Sequence, residues 1–303
     1  MRFSIRSRLF LFLLLLTAPA LQVSAADLKP EDLVAHHLDS LGTAAAREAN
    51  KSRVVQGTAR FKLLVGGGGQ LEGKSAVVSQ ERKLNLLLKF PNDYKGEQFI
   101  SDGDKSYIAA TTSNHRRSAL GEFVMSQPVI LQDGLLGGEL STAWALANLD
   151  HNHPHLNFAG RKKIDGREVL DLRYQPKRSN EMDIHLYFDP ETYRHVETVY
   201  SIVLASGLGA SVPSMSDQVG LTTPSALGGA DPTRSSKQQQ TRYTMEERFS
   251  DFNTTDGITL PTHYNIHFTE ESQDGKTTVY EWDVTASEVT ENMSLDPRNF
   301  QIK

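Results

Sequence analysis

From Val54 onward the chain alternates apolar and polar side chains with a period of two, in one segment after another. Val55, Ala59, Phe61 and Leu63 set the pattern. Leu84, Leu86, Leu88 and Phe90 repeat it against Lys83, Asn85 and Lys89, and Ile184, Leu186 and Phe188 repeat it against Asp183, His185 and Tyr187. Tyr264, Ile266 and Phe268 do the same against His263, Asn265 and His267. Successive side chains of a strand point to opposite faces, so each run has one apolar and one polar face. This is the pattern of antiparallel strands with one side in water. Asp102-Gly103, Asp165-Gly166 and Asp274-Gly275 supply turns between the runs. About eleven runs fit, and a sheet of that length must curl. The expected fold class is mainly β (α+β). It is a single strongly curved antiparallel sheet, an incomplete barrel of about eleven strands, with helices covering the concave apolar face.

Two segments have helical spacing and can supply that cover. Pro30-Glu31-Asp32 is a helix start, followed by Val34, Leu38 and Leu41 and closed by Gly42. An alanine-rich piece over 44–49 continues it. In 118–149, Leu120, Phe123, Val124 and Gln127 have helical spacing; Gly134, Gly137 and Gly138 break the run before a second piece over 141–149. Residues 206–240, rich in Gly, Ser, Pro and Gln, read as a disordered loop inserted between strands. The strand pattern is the same on both sides of it, so residues 26–303 form one domain.

Residues 1–25 read as a signal peptide. Arg2, Arg6 and Arg8 precede an apolar run from Leu9 to Leu16, and Val23-Ser24-Ala25 makes an Ala-x-Ala-like cleavage site. The run is shorter than the roughly 20 apolar residues of a membrane-spanning helix. The expected location is periplasmic or secreted. Without the three signal arginines the chain has 29 basic and 37 acidic residues, a net charge of −8, which disfavours nucleic acid and anionic membranes as partners. The absence of cysteine excludes disulfides, thiolate metal sites, thiol catalysis and an acylated lipobox. No cofactor is expected.

Two motifs have plainer readings. Gly68-x-x-x-x-Gly73-Lys74-Ser75 matches the P-loop expression, which needs a following helix to face the phosphates. Here Ala76-Val77-Val78 continue as a strand, so a glycine-rich hairpin is expected and no nucleotide. His151-x-His153-x-His155 has alternate histidines, but Asn152 and Pro154 place them in a loop, and no metal site is expected. Of His36 and His37 on the first helix, one is expected exposed and one partly buried. No nucleophile elbow, metalloprotease helix or paired-carboxylate motif appears, so the chain is not expected to be an enzyme. A scattered triad has no linear motif and escapes such a search.

Three segments resemble the LolA/LolB-like superfamily of periplasmic lipoprotein carriers and sorting proteins. The first runs from Ile164-Asp165-Gly166-Arg167 to Asp189-Pro190-Glu191-Thr192. The second holds Phe249, Asp251, Asp256-Gly257 and Leu260-Pro261, and the third Asn292, Leu295-Asp296 and Phe300. The Asp102-Gly103-Asp104-Lys105 turn is also compatible. The resemblance implies an incomplete barrel of about eleven strands that shields acyl chains. The chain is longer than a typical carrier, and no basic residue matches the family's lid-controlling arginine.

The expected function is a periplasmic lipid- or lipoprotein-binding protein acting in outer-membrane lipoprotein or lipid transport. Its partners would be acyl chains and possible inner- or outer-membrane proteins. The alternative is a non-catalytic regulatory or interaction protein of the cell envelope; a secreted hydrolase ranks third. The residues expected to line the cavity are Phe61, Leu63, Leu84, Leu86, Leu88, Ile184, Leu186, Phe188, Tyr264, Ile266 and Phe268. The alternative for each is ordinary core packing under the helices. An unfilled cavity would favour the carrier and a filled one the interaction protein. A nucleophile hydrogen-bonded to a histidine in a cleft would favour the hydrolase.

Overall fold

The computed structural model describes residues 28–91, 97–110, 117–178, 181–205 and 240–302. The signal peptide and residues 206–239 of the inserted loop lie outside them. One sheet of twelve antiparallel strands dominates. The strands are β1 (Ser52–Val65), β2 (Gln70–Gln80), β3 (Lys83–Lys89), β4 (Glu97–Ser101), β5 (Ser106–Ala110), β6 (His155–Ile164), β7 (Arg167–Gln175), β8 (Asp183–Phe188), β9 (His195–Leu204), β10 (Thr241–Thr255), β11 (Ile258–Ser272) and β12 (Thr277–Glu291). Their spatial order is β5-β4-β3-β2-β1-β12-β11-β10-β9-β8-β7-β6. The sheet is open, with β5 and β6 at its edges.

That order explains where the helices lie. The chain starts mid-sheet at β1, winds out to the β5 edge, and must then reach the opposite edge at β6. The connection crosses the apolar face and covers it. It contains α3 (Ala119–Ser126), α4 (Val129–Gln132), two 3-10 turns (Gly138–Leu140 and Ala145–Asn148) and α5 (Leu149–Asn152). The Ser118 side chain caps α3 by accepting from the Gly121 N–H. The piece expected over 141–149 holds one 3-10 turn, Ala145–Asn148, leading into α5 rather than one helix. Gly134 is required here: it has φ 74°, and a Cβ would lie 1.8 Å from the Ala143 carbonyl oxygen.

The N-terminal helices α1 (Pro30–Leu41) and α2 (Ala44–Ala49) form where the sequence signals place them. Leu33, Val34, His37 and Leu41 are the buried side of α1. His36 is exposed, and His37 is fully rather than partly buried.

The twelfth strand is β10, which the period-two reading does not separate out. Its inward positions are Tyr243, Met245, Glu247 and Phe249, and the carboxylate among them interrupts the apolar alternation. The P-loop-like residues Gly73, Lys74 and Ser75 lie on β2, paired with Ala59, Thr58 and Gly57 of β1. The sequence after them is strand, not the helix that phosphate binding needs.

Candidate functional site

The concave face is one continuous apolar surface. Ten of the eleven expected residues are buried in a single core cluster: Phe61, Leu84, Leu86, Leu88, Ile184, Leu186, Phe188, Tyr264, Ile266 and Phe268. Leu63 is partly buried and packs against that cluster. Side chains alternate along each strand, and these residues share the core-facing side of β1, β3, β8 and β11. Trp282 of β12 and Phe249 of β10 face the same way.

The crossing segment fills this surface with its own side chains. Leu120, Phe123, Val124, Ile130, Leu135 and Leu136 are all fully buried. The Phe123 ring lies 5.2 Å from that of Phe268 and 6.2 Å from that of Tyr243. Trp144 stacks on His195 at 4.9 Å. Cavities of about 830, 490, 420 and 80 Å³ are lined by other residues, none of them among the eleven.

Buried polar groups fasten the cover to the sheet. Glu247 accepts hydrogen bonds from the Tyr200 hydroxyl (2.6 Å), the Tyr264 hydroxyl and the Gly137 N–H (2.8 Å). The Tyr174 hydroxyl donates to Asp133 at 2.8 Å. Glu97 accepts from the Ser118 N–H at the start of α3. His195 Nε2 faces the Glu197 carbonyl, which can only accept, so that nitrogen carries hydrogen; Nδ1 lies 2.9 Å from Glu139 Oε2. His37 Nδ1 donates to the Tyr193 carbonyl (3.1 Å), and His37 Nε2 accepts from the Trp144 indole N–H (2.9 Å). Those partners require a neutral ring.

The electrostatics follow from burial. Loss of solvation pushes the Glu97 carboxyl up to about 7 and raises that of Glu247, while it lowers His37 to about 4. Alternation alone could not reveal these fastenings. The one available signal was Glu247, a charged residue at an inward position of an otherwise apolar strand face.

The histidine cluster is spread over two elements. His151 lies in α5 with Nε2 3.8 Å from Asp104, His153 takes φ 46°, and His155 begins β6. Among the described residues, no group of three or more His, Cys, Asp or Glu side chains could hold a metal.

The face opposite the core carries a separate arrangement. Ser250 of β10 lies directly across from His263 of β11, with Oγ 3.1 Å from Nδ1. His263 Nε2 lies 3.1 Å from Asp283 Oδ1 on β12. Ser250 and His263 line the cavity of about 490 Å³.

No protein-family model matches the sequence, and no curated protein matches it. Among solved structures the chain is similar to a LolA superfamily protein from Nitrosomonas europaea, at 13% identity over 91% of this chain and 98% of that one, TM-score 0.43. It is similar to an outer membrane lipoprotein-sorting protein domain from Vibrio parahaemolyticus, at 10% identity over 90% and 97%, TM-score 0.45. It is also similar to a DUF1329 family protein from Desulfovibrio piger, at 11% identity over 90% and 97%, TM-score 0.44. The open antiparallel sheet with a helical cover is the architecture implied by the sequence resemblance. The sheet here has twelve strands. Among the described residues, no helix is long and apolar enough to cross a membrane.

Proposed function

We propose that this protein is a periplasmic binding module that takes acyl chains of a lipid or lipoprotein on the concave face of its half-barrel when the crossing segment lifts. The observation that carries this reading is the continuous apolar face. It is closed by a segment outside the sheet's ladder, whose longest helix has eight residues. Each CH₂ transferred there contributes about 0.8 kcal/mol, so roughly ten would supply about 8 kcal/mol, a micromolar affinity, before the cost of lifting the cover. The binding itself makes or breaks no covalent bond.

A second reading, a non-catalytic interaction protein of the cell envelope, is favoured by the same face being filled by the protein's own side chains. Mass spectrometry of the purified protein distinguishes the two. The carrier reading expects co-purified lipid, lost in Leu86→Glu and Ile266→Glu variants that remain folded. Lipid-free wild type that displaces no fluorescent fatty-acid probe would leave the interaction protein as the better account. Lipid retained in both variants would place the site on another face.

A further inference from the structure

We infer that Ser250, His263 and Asp283 form a nucleophilic relay that cleaves carboxylic esters on the side of the sheet away from the core. The three residues come from adjacent strands and are separated in sequence, so no linear motif announces them. Hairpin register brings them together: Ser250 pairs directly with His263, and Asp283 pairs with Asn265, one step diagonal from His263.

The polarity is set by charge. An ionised Asp283, in ion-pair contact with His263 Nε2 at 3.1 Å, favours hydrogen on that nitrogen. Nδ1 is then left with its lone pair toward the Ser250 hydroxyl, also at 3.1 Å. This is the nucleophile, base and orienting group of a triad, with the two ring nitrogens in exchanged roles.

Two further observations make this more than a pair of contacts on a wet surface. The site lies in a cleft of about 490 Å³, walled by the β6–β7 hairpin, which Asp165 ties across to Arg248 of β10 at 3.4 Å. The residue after Ser250, Asp251, takes φ 55° within a strand, and its carbonyl turns to accept from the Thr262 hydroxyl at 2.6 Å. A non-glycine residue in that conformation, beside a candidate nucleophile, is where strain is expected at a functional site.

The step balances without a further reagent. Ser250 Oγ attacks the ester carbonyl while its proton passes to His263 Nδ1. The carbonyl–alkoxy bond breaks, and the alcohol leaves with that proton. Water then attacks the acyl-serine, giving one proton to Nδ1, which returns it to Ser250 as the acid departs. Asn265 lines the cleft two residues from His263, and its side-chain amide is assigned as the oxyanion donor. Five carboxylates (Asp165, Glu168, Asp189, Glu197 and Glu281) line the cleft against two cations, Arg167 and Arg248, and Arg248 is engaged by Asp165, Glu197 and Glu246. The substrate class is therefore uncharged or cationic esters rather than anionic ones.

The inference goes beyond the acyl-binding reading and does not depend on it, because the two use opposite faces. The test treats the full secreted chain with a fluorophosphonate probe, maps the adduct by mass spectrometry, and follows hydrolysis of p-nitrophenyl acetate. One adduct on Ser250 is expected, with hydrolysis falling to the buffer rate in Ser250→Ala. His263→Gln should slow both reactions by about 100-fold or more. Asp283→Asn acts through His263, since its amide can donate to Nε2 and reverse the tautomer. It should slow probe labelling while leaving the melting temperature unchanged, and Asp283→Glu should restore part of the rate. An unlabelled Ser250, or hydrolysis that persists in Ser250→Ala, overturns the assignment whatever the lipid experiment returns.

Discussion

Strands β10, β11 and β12 carry two different surfaces on one backbone. Toward the core, Phe249, Tyr264, Ile266, Phe268 and Trp282 are almost entirely buried under the crossing segment, with Glu247 held among them by three donors. On the other side, one residue along the chain in each case, Ser250, His263 and Asp283 line up in partial contact with water. The backbone ladder is common to both, so the difference lies only in side-chain parity. One side closes by excluding water and stores its polar chemistry in fastenings. The other leaves polar groups accessible, where they can act on something else.

If the two surfaces differ as described, substitutions on them should differ in cost. Phe268→Ala removes a ring packed against Phe123 and Tyr243, and should lower unfolding free energy by about 3–5 kcal/mol in urea titration. A loss below about 1 kcal/mol would mean that the cover is loosely seated. Glu247→Ala comes next. It leaves two tyrosine hydroxyls and the Gly137 N–H without their partner, for a loss of about 3 kcal/mol. Glu247→Gln keeps two acceptor lone pairs and should lose less than Glu247→Ala.

The pH dependence sharpens the contrast within the covered side. Burial raises Glu97 to about 7, so its contribution to stability is greatest below its ordinary value of 4.5 and is lost as pH rises through about 7. His37 acts in the opposite sense: its contribution is present above its ordinary 6.5 and is lost as pH falls through about 4. Thermal melts of Glu97→Gln should therefore decline less than wild type between pH 4.5 and 7. An unchanged slope would show that Glu97 is not the group responsible. At the far end of the scale, Ser250→Ala on the open side should change stability by no more than about 0.5 kcal/mol. A larger loss would make Ser250 a packing residue and weaken the division between the faces.

The fold was legible where alternation is clean. β3 carries Leu84, Leu86 and Leu88 inward with nothing to interrupt them, so its parity could be read directly. β10 hid because Glu247 sits at an inward position, where only three buried donors make a carboxylate tolerable, and those donors come from β9, β11 and the crossing segment. The cover was legible as helical spacing near Phe123. Its second part could not be read as a 3-10 turn, since the Gly134 geometry depends on the approach of Ala143. The relay was invisible for a related reason. Ser250 and His263 meet only because the Asp256-Gly257 turn sets Thr255 opposite Ile258, and every later pair in the hairpin inherits that register. The residues expected to line a cavity lie on the core-facing side of the sheet, and their closure by Leu120, Phe123 and Leu136 is a property of packing across the sheet.

The central claim, that acyl chains reach the concave face, is open to one direct optical measurement. The chain has two tryptophans, and Trp282 lies on that face. In a Trp144→Phe variant, emission therefore reports from Trp282 alone. Titration with a brominated fatty acid should quench it saturably, with a midpoint in roughly the micromolar range, and Ile266→Glu should abolish the effect. Emission that stays unquenched while the same acid quenches free tryptophan would contradict the account.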